Sequence, residues 1–306
     1  MTISKNLWCC AVPVATVWTS TSSPREIDRL AIENPVYLIK WLEVLSYKER
    51  LDLCTTNRIQ TQLLYGEEVI VDEIVDDWAK IIAIHQPSKK DRRGYPGWVP
   101  IRQLKKRRHE NYQKHVIVTV DKVQLWSEDG APLMVLPFNT ILPLQHECSQ
   151  FYHVDTPHGT ACLNKKGVAI TRSSTVGNPT PMEQAVVKGT AFLDLPYLWG
   201  GMSSYGYDCS GFTYNMAKAS GRILPRDAGD QKNAGQPIDP ERQDEWRIGD
   251  LLFFADNFGK DPVRHVGFYF GEGKMIHSPQ TGKTVEIITL ANTQFEVELC
   301  GVNRYQ

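Results

Sequence analysis

The sequence predicts an α+β protein in which two small β-barrels precede a domain of helices packed on an antiparallel sheet. Three observations predict it. Short strand signals run from Val12 to about Pro100, and the same pattern returns from His115 to about Leu163. The stretch Thr171 to Thr180, full of Ser, Thr, Gly and Pro, reads as a linker. Beyond it helical signals come first and strand signals second.

With 306 residues, 42% hydrophobic, and a net charge of −1, the chain can bury two or three separate cores and gives no electrostatic reason to expect nucleic acid. The division is expected at 1–105 for the first barrel with a helical insert at about 23–52, 106–172 for the second barrel, and 173–306 for the last domain.

In the first region strands are expected at Val14 to Trp18, Leu63 to Tyr65, Val69 to Val71, Trp78 to Ile84 and Trp98 to Val99. The insert reads as helical. Ser23-Pro24-Arg25-Glu26 offers Ser as N-cap, Pro at the first helical position and Glu three residues after the cap. Leu38, Trp41, Leu42 and Leu45 then recur at helical spacing and predict a packing face. In the second region strands are expected at Val116 to Val120, Val123 to Trp126, Leu133 to Leu136, Ile141 to Leu144 and Phe151 to Val154. Leu63 to Val71 followed by Trp78 parallels Val135 to Pro143 followed by Tyr152, a weak internal repeat. In the third region Thr180-Pro181-Met182-Glu183 predicts a capping box for a helix to Phe192. A second helix runs from Ser210 to about Ala219 and ends near Gly221, before strands at Leu251 to Phe254, Val266 to Phe270, Met275 to His277 and Val285 to Ile288.

The chemistry starts at Asp208-Cys209-Ser210-Gly211-Phe212, which opens the second of these helices. The free N–H groups of a helix's first turn carry partial positive charge, so they favour a thiolate there by lowering its pKa. Cys209 is therefore a candidate nucleophile; the alternative is a buried, inert cysteine. His265 and His277 stand on two short strands joined through Gly271-Glu272-Gly273. As a three-residue loop, this connection sets Phe270 opposite Lys274 and His277 opposite Gly267, so that the two imidazoles share a face. A two-residue loop would put them on opposite faces. Gly267 leaves room between them.

Nucleophilic cysteine catalysis needs a base, a group that orients the base, and donors for the developing oxyanion. His265 is placed to take the Cys209 proton and return it to the leaving amine, and His277 to fix its tautomer. The Cys209 backbone N–H and the Tyr197 phenol are candidate oxyanion donors. Asp208, Ser210 and Trp199 are further candidates for oxyanion binding or substrate positioning.

The segments Pro196-Tyr197-Leu198-Trp199-Gly200-Gly201, Asp208-Cys209-Ser210-Gly211-Phe212, Arg247 to Phe254, His265-Val266-Gly267 and Ile276-His277-Ser278 come in a fixed order over about the last 125 residues. There the chain resembles the NlpC-type, papain-like cysteine peptidases of bacterial cell-wall metabolism. The resemblance implies that Cys209, His265 and His277 form a triad, acting on the amide between γ-D-glutamate and a diamino acid in murein peptides. Both barrels resemble bacterial SH3-like domains. The likeness is stronger in the first, where Gly94-Tyr95-Pro96-Gly97-Trp98-Val99-Pro100 resembles that fold's closing strand. Gly159-Thr160-Ala161-Cys162-Leu163 in the second lacks the tryptophan.

Across essentially its whole length the chain resembles the subgroup that cleaves free murein peptides. In that subgroup the first barrel walls off the cleft, and an aspartate, a tyrosine and an acidic group hold the substrate's terminal amine. Asp227, eighteen residues past Cys209, matches the aspartate, and Tyr95 matches the tyrosine. An exposed ion pair with Arg226 and a plain core or turn aromatic beside Pro96-Gly97 are the alternative readings. The acidic group has no assigned position: Gln60 or Gln62 occupies its segment, with Glu67, Glu68 and Glu73 nearby.

The implied activity is hydrolysis of L-Ala-γ-D-Glu-diamino acid peptides, with lysine or diaminopimelate as the diamino acid, releasing L-Ala-D-Glu. The expected enzyme is a monomer without cofactor, metal, nucleic acid or membrane partner. A secreted hydrolase acting on intact wall is one alternative. A non-catalytic wall-binding protein is another, disfavoured because every triad position is occupied. The seven cysteines, Cys9, Cys10, Cys54, Cys148, Cys162, Cys209 and Cys300, are odd in number and lack CxxC spacing, unlike a zinc site or a disulfide framework. Leu7 to Trp18 is apolar but broken by Pro13 and preceded only by Lys5, which makes a poor signal peptide or membrane span. Unpaired thiols then point to a reducing cytoplasm. The basic runs Lys89-Lys90-Asp91-Arg92-Arg93 and Lys105-Lys106-Arg107-Arg108 read as solvated loops or linkers, or as a site for an anionic partner such as an acidic murein peptide.

Overall fold

The computed structural model describes residues 6–107 and 112–305; Lys5 and Arg108 of the segments above lie outside the described residues. The first sheet contains β1 (Leu7–Cys10), β2 (Val14–Trp18), β3 (Ile59–Leu64), β4 (Glu68–Val75), β5 (Trp78–Ala83), β6 (Tyr95–Pro100) and β7 (Leu104–Lys106), in the order β3-β2-β6-β5-β4-β1-β7. The second contains β8 (His115–Val118), β9 (Lys122–Trp126), β10 (Pro132–Pro137), β11 (Ile141–Glu147), β12 (Phe151–Thr156), β13 (Gly159–Asn164) and β14 (Val168–Thr171), in the order β10-β9-β13-β12-β11-β8-β14. Strand for strand the two orders are the same. The weak sequence repeat spans β3 to β5 and β10 to β12, and its turns match: Gly66 (φ +82°) and Asn139 (φ +66°) both take the left-handed conformation that these two residue types tolerate best. The apolar run at Leu7 is a strand, β1, paired with β4 and β7.

The insert after β2 folds as α1 (Arg29–Ile32), α2 (Leu38–Val44) and α3 (Tyr47–Thr55). Leu38, Trp41 and Leu45 are buried as their spacing predicts, against Val14, Trp18 and Ile59 of the barrel. The expected cap at Ser23 does not form. Its hydroxyl accepts from the Ser20 N–H at 3.0 Å, a local turn that competes with capping, and the first helical turn is closed by Asp28 accepting from the Arg25 N–H at 2.9 Å. A reciprocal capping box forms instead at Ser46 and Glu49, at the start of α3.

The last domain begins with α4 (Met182–Gly189), followed by the short pair β15 (Met202–Ser203) and β16 (Gly206–Tyr207), α5 (Cys209–Ala219) and α6 (Ala228–Ala234). Its sheet, β17 (Gln236–Ile238), β18 (Leu251–Ala255), β19 (Val263–Gly271), β20 (Lys274–His277), β21 (Glu286–Thr289) and β22 (Leu299–Arg304), has the order β17-β22-β18-β19-β20-β21 with antiparallel neighbours throughout. The capping box predicted at Thr180 is absent. The N-cap is Pro181, and Thr180 is drawn to the end of α5, its N–H donating to Ser220 O and its carbonyl accepting from Arg222. Every residue of α5 is buried, and Phe212 and Met216 share one core with Phe268 of β19 and Ile276 of β20. Burying a side chain such as Phe212 contributes about 2–3 kcal/mol, so the helix is fixed on the sheet mainly by its apolar face. Among the described residues no helix is long and apolar enough to cross a membrane.

Candidate active site

Cys209 is the first residue of α5, and Asp208 is its N-cap. The Asp208 carboxylate accepts from the Gly211 N–H at 2.6 Å and the Gly200 N–H at 3.0 Å, which ties the helix start to the turn before β15. Arg226 closes the other side, its Nη2 lying 2.6 Å from Asp208 Oδ2 and its Nη1 donating to Ser210 Oγ at 2.9 Å. The guanidinium is fully buried. Burial works against its charge, and Asp208 more than offsets this, so its pKa rises.

The β19 and β20 strands bring the two histidines together, by a route that differs from the expected loop. Gly271 pairs with Lys274, which leaves Glu272 and Gly273 as a two-residue turn with positive φ at both positions. The register shifts between Tyr269 and Gly271, so one extra residue enters β19 and restores the shared face. His265 Nε2 lies 2.7 Å from His277 Nδ1. A Cβ on Gly267 would come within 2.9 Å of His277 Cβ and 2.5 Å of the Met275 sulfur, so only glycine fits between them. His277 Nε2 points toward Glu286 of β21, 3.5 Å from Oε1, without the alignment of a hydrogen bond.

Both imidazoles are enclosed. Phe254 and Phe295 lie against His265, with ring centroids 5.9 and 5.4 Å away, and Phe295 also meets His277 edge-on. Burial, then His277 and Arg264, hold the His265 pKa well below the usual imidazole range, and burial pushes His277 down to about 3. Burial also pushes the Cys209 thiol up to about 12, with Asp208 adding to it and a hydrogen bond from the Val266 backbone opposing it. This corrects the expectation that the helix start lowers the Cys209 pKa. An enclosed single charge costs more than the roughly half charge of a helix terminus returns.

Tyr197 is buried, and its phenol is held protonated by burial first and by charge on Cys209 second. It therefore remains a hydrogen-bond donor within electrostatic reach of Cys209. The other expected positioning groups are engaged elsewhere. Asp208 and Ser210 are bound to Arg226, and the Trp199 indole N–H donates to Ile59 O of β3 at 3.1 Å.

That contact is one of several through which the first barrel forms a wall against the catalytic domain. Thr61 Oγ1 accepts from Arg226 Nε at 2.9 Å and meets Gln86 Oε1 at 2.6 Å, while Gln62 Oε1 accepts from the Met202 N–H at 3.0 Å. Tyr95 and Asp227 meet across this junction, the phenol donating to Asp227 Oδ1 at 2.9 Å. Asp227 is thus not an exposed partner of Arg226, and Tyr95 is a buried core aromatic of the first barrel, in keeping with one alternative reading, and its hydroxyl also reaches Asp227. Gln60 is the residue that reaches this cluster; Gln62 turns to Met202, Glu67 binds Lys218 and Glu68 binds Arg107. Lys90 was missed by sequence reasoning. It sits in a basic run that reads as solvated, yet its ammonium lies among Gln60, Tyr95 and Asp227. Glu286 was missed as well, although its place directly across from His277 follows from strand pairing. Among the described residues no cluster of His, Cys, Asp and Glu could hold a metal ion, and all seven cysteines are free thiols.

Comparison with known proteins gives the same picture. The NlpC/P60 family model matches residues 194–304, and that of the YKFC SH3b2 domain matches residues 118–170. The γ-D-glutamyl-L-lysine dipeptidyl-peptidase of Bacillus subtilis strain 168 is 44% identical over 291 residues, 95% of this chain and 96% of that protein. The protein of the same name from Bacillus cereus ATCC 10987 is 38% identical over 301 residues, 96% of this chain and 89% of that one. The crystal structure of an NlpC/P60 family protein from Bacillus cereus ATCC 10987 matches with a TM-score of 0.90 at 37% identity, covering 98% of this chain and 99% of that chain. The likeness therefore takes in both barrels and the catalytic domain together.

Proposed function

Because the chain belongs to the NlpC/P60 family of cysteine peptidases, we propose that it hydrolyses the γ-D-glutamyl–diamino acid amide of murein peptides that carry a free N-terminal L-Ala, releasing L-Ala-D-Glu. In this reading Cys209, His265 and His277 are the triad. His277 occupies Nε2 of His265, so Nδ1 is the nitrogen that takes the Cys209 proton as sulfur attacks the γ-carbonyl carbon. The developing oxyanion is met by the Cys209 N–H and the Tyr197 phenol. The same imidazole then protonates the departing amine as the C–N bond breaks, and water, deprotonated by His265, hydrolyses the thioester.

The observation that supports the substrate assignment is the Tyr95–Asp227 pair, a phenol and a carboxylate that meet where the first barrel packs against the catalytic domain. Two relatives are named γ-D-glutamyl-L-lysine dipeptidyl-peptidases, and such an activity needs the chain end of the substrate held two residues before the cleaved bond. The reading further includes a division into 1–105, 106–172 and 173–306, a monomer, lysine or diaminopimelate after the cleaved bond, and a role in murein peptide recycling. Seven unpaired thiols support a cytoplasmic location.

The test compares L-Ala-γ-D-Glu-L-Lys with its N-acetylated form. Asp227 is about one-third exposed, with 32% of its side chain open to solvent, so part of its attraction is screened. Acetylation should therefore lower kcat/KM on the order of tenfold to a hundredfold. Asp227→Asn should narrow that gap by slowing the free peptide. Equal cleavage of both forms, or efficient digestion of intact wall, would refute this reading.

A further inference from the structure

Three oxygens converge on the Lys90 ammonium. Gln60 Oε1 accepts at 2.7 Å, the Tyr95 hydroxyl accepts a short hydrogen bond, and Asp227 Oδ2 lies 3.6 Å away. The Tyr95 ring lies beneath the nitrogen, 4.2 Å from its centroid to Nζ. A carboxylate, two neutral oxygens and an aromatic face are the groups that recognise an ammonium ion. Two of them, Tyr95 and Asp227, are the groups assigned above to the substrate's α-amine, and the present inference rests on that assignment.

We propose that Lys90 is the resident occupant of the amine subsite, displaced when the α-ammonium of a substrate binds, and that it thereby sets the affinity of the enzyme for free N-terminal peptides. Charge requires the exchange. Asp227 is the carboxylate in contact with Lys90, and beyond it the Asp230 carboxylate and the Arg226 guanidinium act on Lys90 with opposite signs, so a second ammonium entering beside Lys90 would add an unmatched positive charge in a partly desolvated space. The loop that carries Lys90 allows it. Its backbone is anchored just before Lys90, by Pro87 O accepting from the Arg226 N–H at 2.9 Å and by the Lys89 N–H donating to Asp230 at 3.0 Å, and an isolated bridge pairs Ser88 with Asp91 around it. Movement is then confined to the flexible Lys90 stem, whose side chain is 37% exposed and can swing into solvent. Burial lowers the Lys90 pKa, with Asp227 opposing that effect.

Lys90→Met and Lys90→Ala, examined in the full chain, test the exchange. Both should lower KM for L-Ala-γ-D-Glu-L-Lys about tenfold, with the change falling on KM rather than kcat, because an internal competitor has been removed. Titration of the dipeptide L-Ala-γ-D-Glu into Cys209→Ala and Cys209→Ala/Lys90→Met, by calorimetry, should show the same gain without any turnover. The N-acetylated tripeptide should gain nothing. An unchanged or higher KM for both variants, while the wild type still prefers the free amine, would overturn the displacement and make Lys90 a support of the site. Equal cleavage of free and acetylated peptides by the wild type would instead overturn the amine assignment beneath it.

Discussion

In the first barrel β2 and β3 are joined by residues 19–58 and β5 and β6 by residues 84–94, whereas the same junctions of the second barrel are residues 127–131 and 157–158. The strand order is identical in both. What differs is what the shared frame carries. The long first-barrel loops bring helices that pack behind β3 and a loop that sets Lys90 and Gln86 at the catalytic domain. The strands differ as well: β3 presents Gln60, Thr61 and Gln62 to the junction, while the corresponding β10 carries Leu133, Met134 and Val135, of which Leu133 is 49% exposed. Two barrels of the same strand order thus differ in what they bring to the catalytic domain, through loop length and three polar residues. Fold alone would not distinguish the two copies.

The sharpest way to break this comparison is to remove the chemistry and ask whether recognition by the first barrel survives. Cys209→Ala should abolish turnover while leaving L-Ala-γ-D-Glu binding intact, because the nucleophile acts mainly in the transition state and the amine cluster belongs to a different set of residues. His265→Ala should lower kcat nearly as much, by roughly a thousandfold or more, since the proposed mechanism gives both proton transfers to His265. His277→Asn should keep measurable activity, because an amide can still bond His265 Nε2. Equal losses at the two histidines would contradict the roles given to them, and retained activity in Cys209→Ala would overturn the mechanism.

The reach of the sequence differed between these two halves for a physical reason. Cys209, His265 and His277 are legible because each lies in a local context with its own regularity: a helix start for one, strand alternation for the others. Even there the sequence misjudged the turn, because the bulge at Phe270 cancels the shorter loop, and it misjudged the charge state, because burial is a property of the assembled core. The amine cluster is built from Gln60, Lys90, Tyr95 and Asp227, which meet only through docking of one domain on another. No local periodicity marks such a meeting. Lys90 in particular is indistinguishable from its neighbours in a basic run until Asp227 is placed beside it. The helix caps failed for a related reason, since Ser23 and Thr180 found other partners nearby.

A second, smaller effect is the response of the catalytic sheet to acid, which adds to that of His85, His115 and His158 in the barrels, whose pKa values burial also lowers. His277, and His265 with it, is buried with a folded-state pKa below the ordinary imidazole value of 6.5. As pH falls through about 6.5 the unfolded chain therefore takes up protons that the folded chain refuses, so their contribution is present above that pH and is lost progressively as pH falls toward about 3. Melting temperatures recorded at pH 7 and pH 4.5 should fall less for His277→Asn than for the wild type, by about a few degrees. An equal drop in both would show that acid acts on other groups.

The smallest expected effect tests the comparison directly, by making matched changes on the two equivalent strands. Gln60→Ala removes the oxygen 2.7 Å from Lys90 Nζ and loosens the amine cluster, so KM for the free tripeptide should change severalfold while the acetylated peptide responds little. Leu133→Ala alters β10, where the side chain lies in an apolar groove with Tyr37 and Ile39 of the insert, away from Asp227 and Cys209. Its kcat/KM should stay within about twofold of the wild type, in line with the small effect of most surface substitutions away from a site. Comparable changes in free-peptide KM for the two variants would mean that the second barrel also shapes the cleft, and the division of labour drawn from loop length would fail.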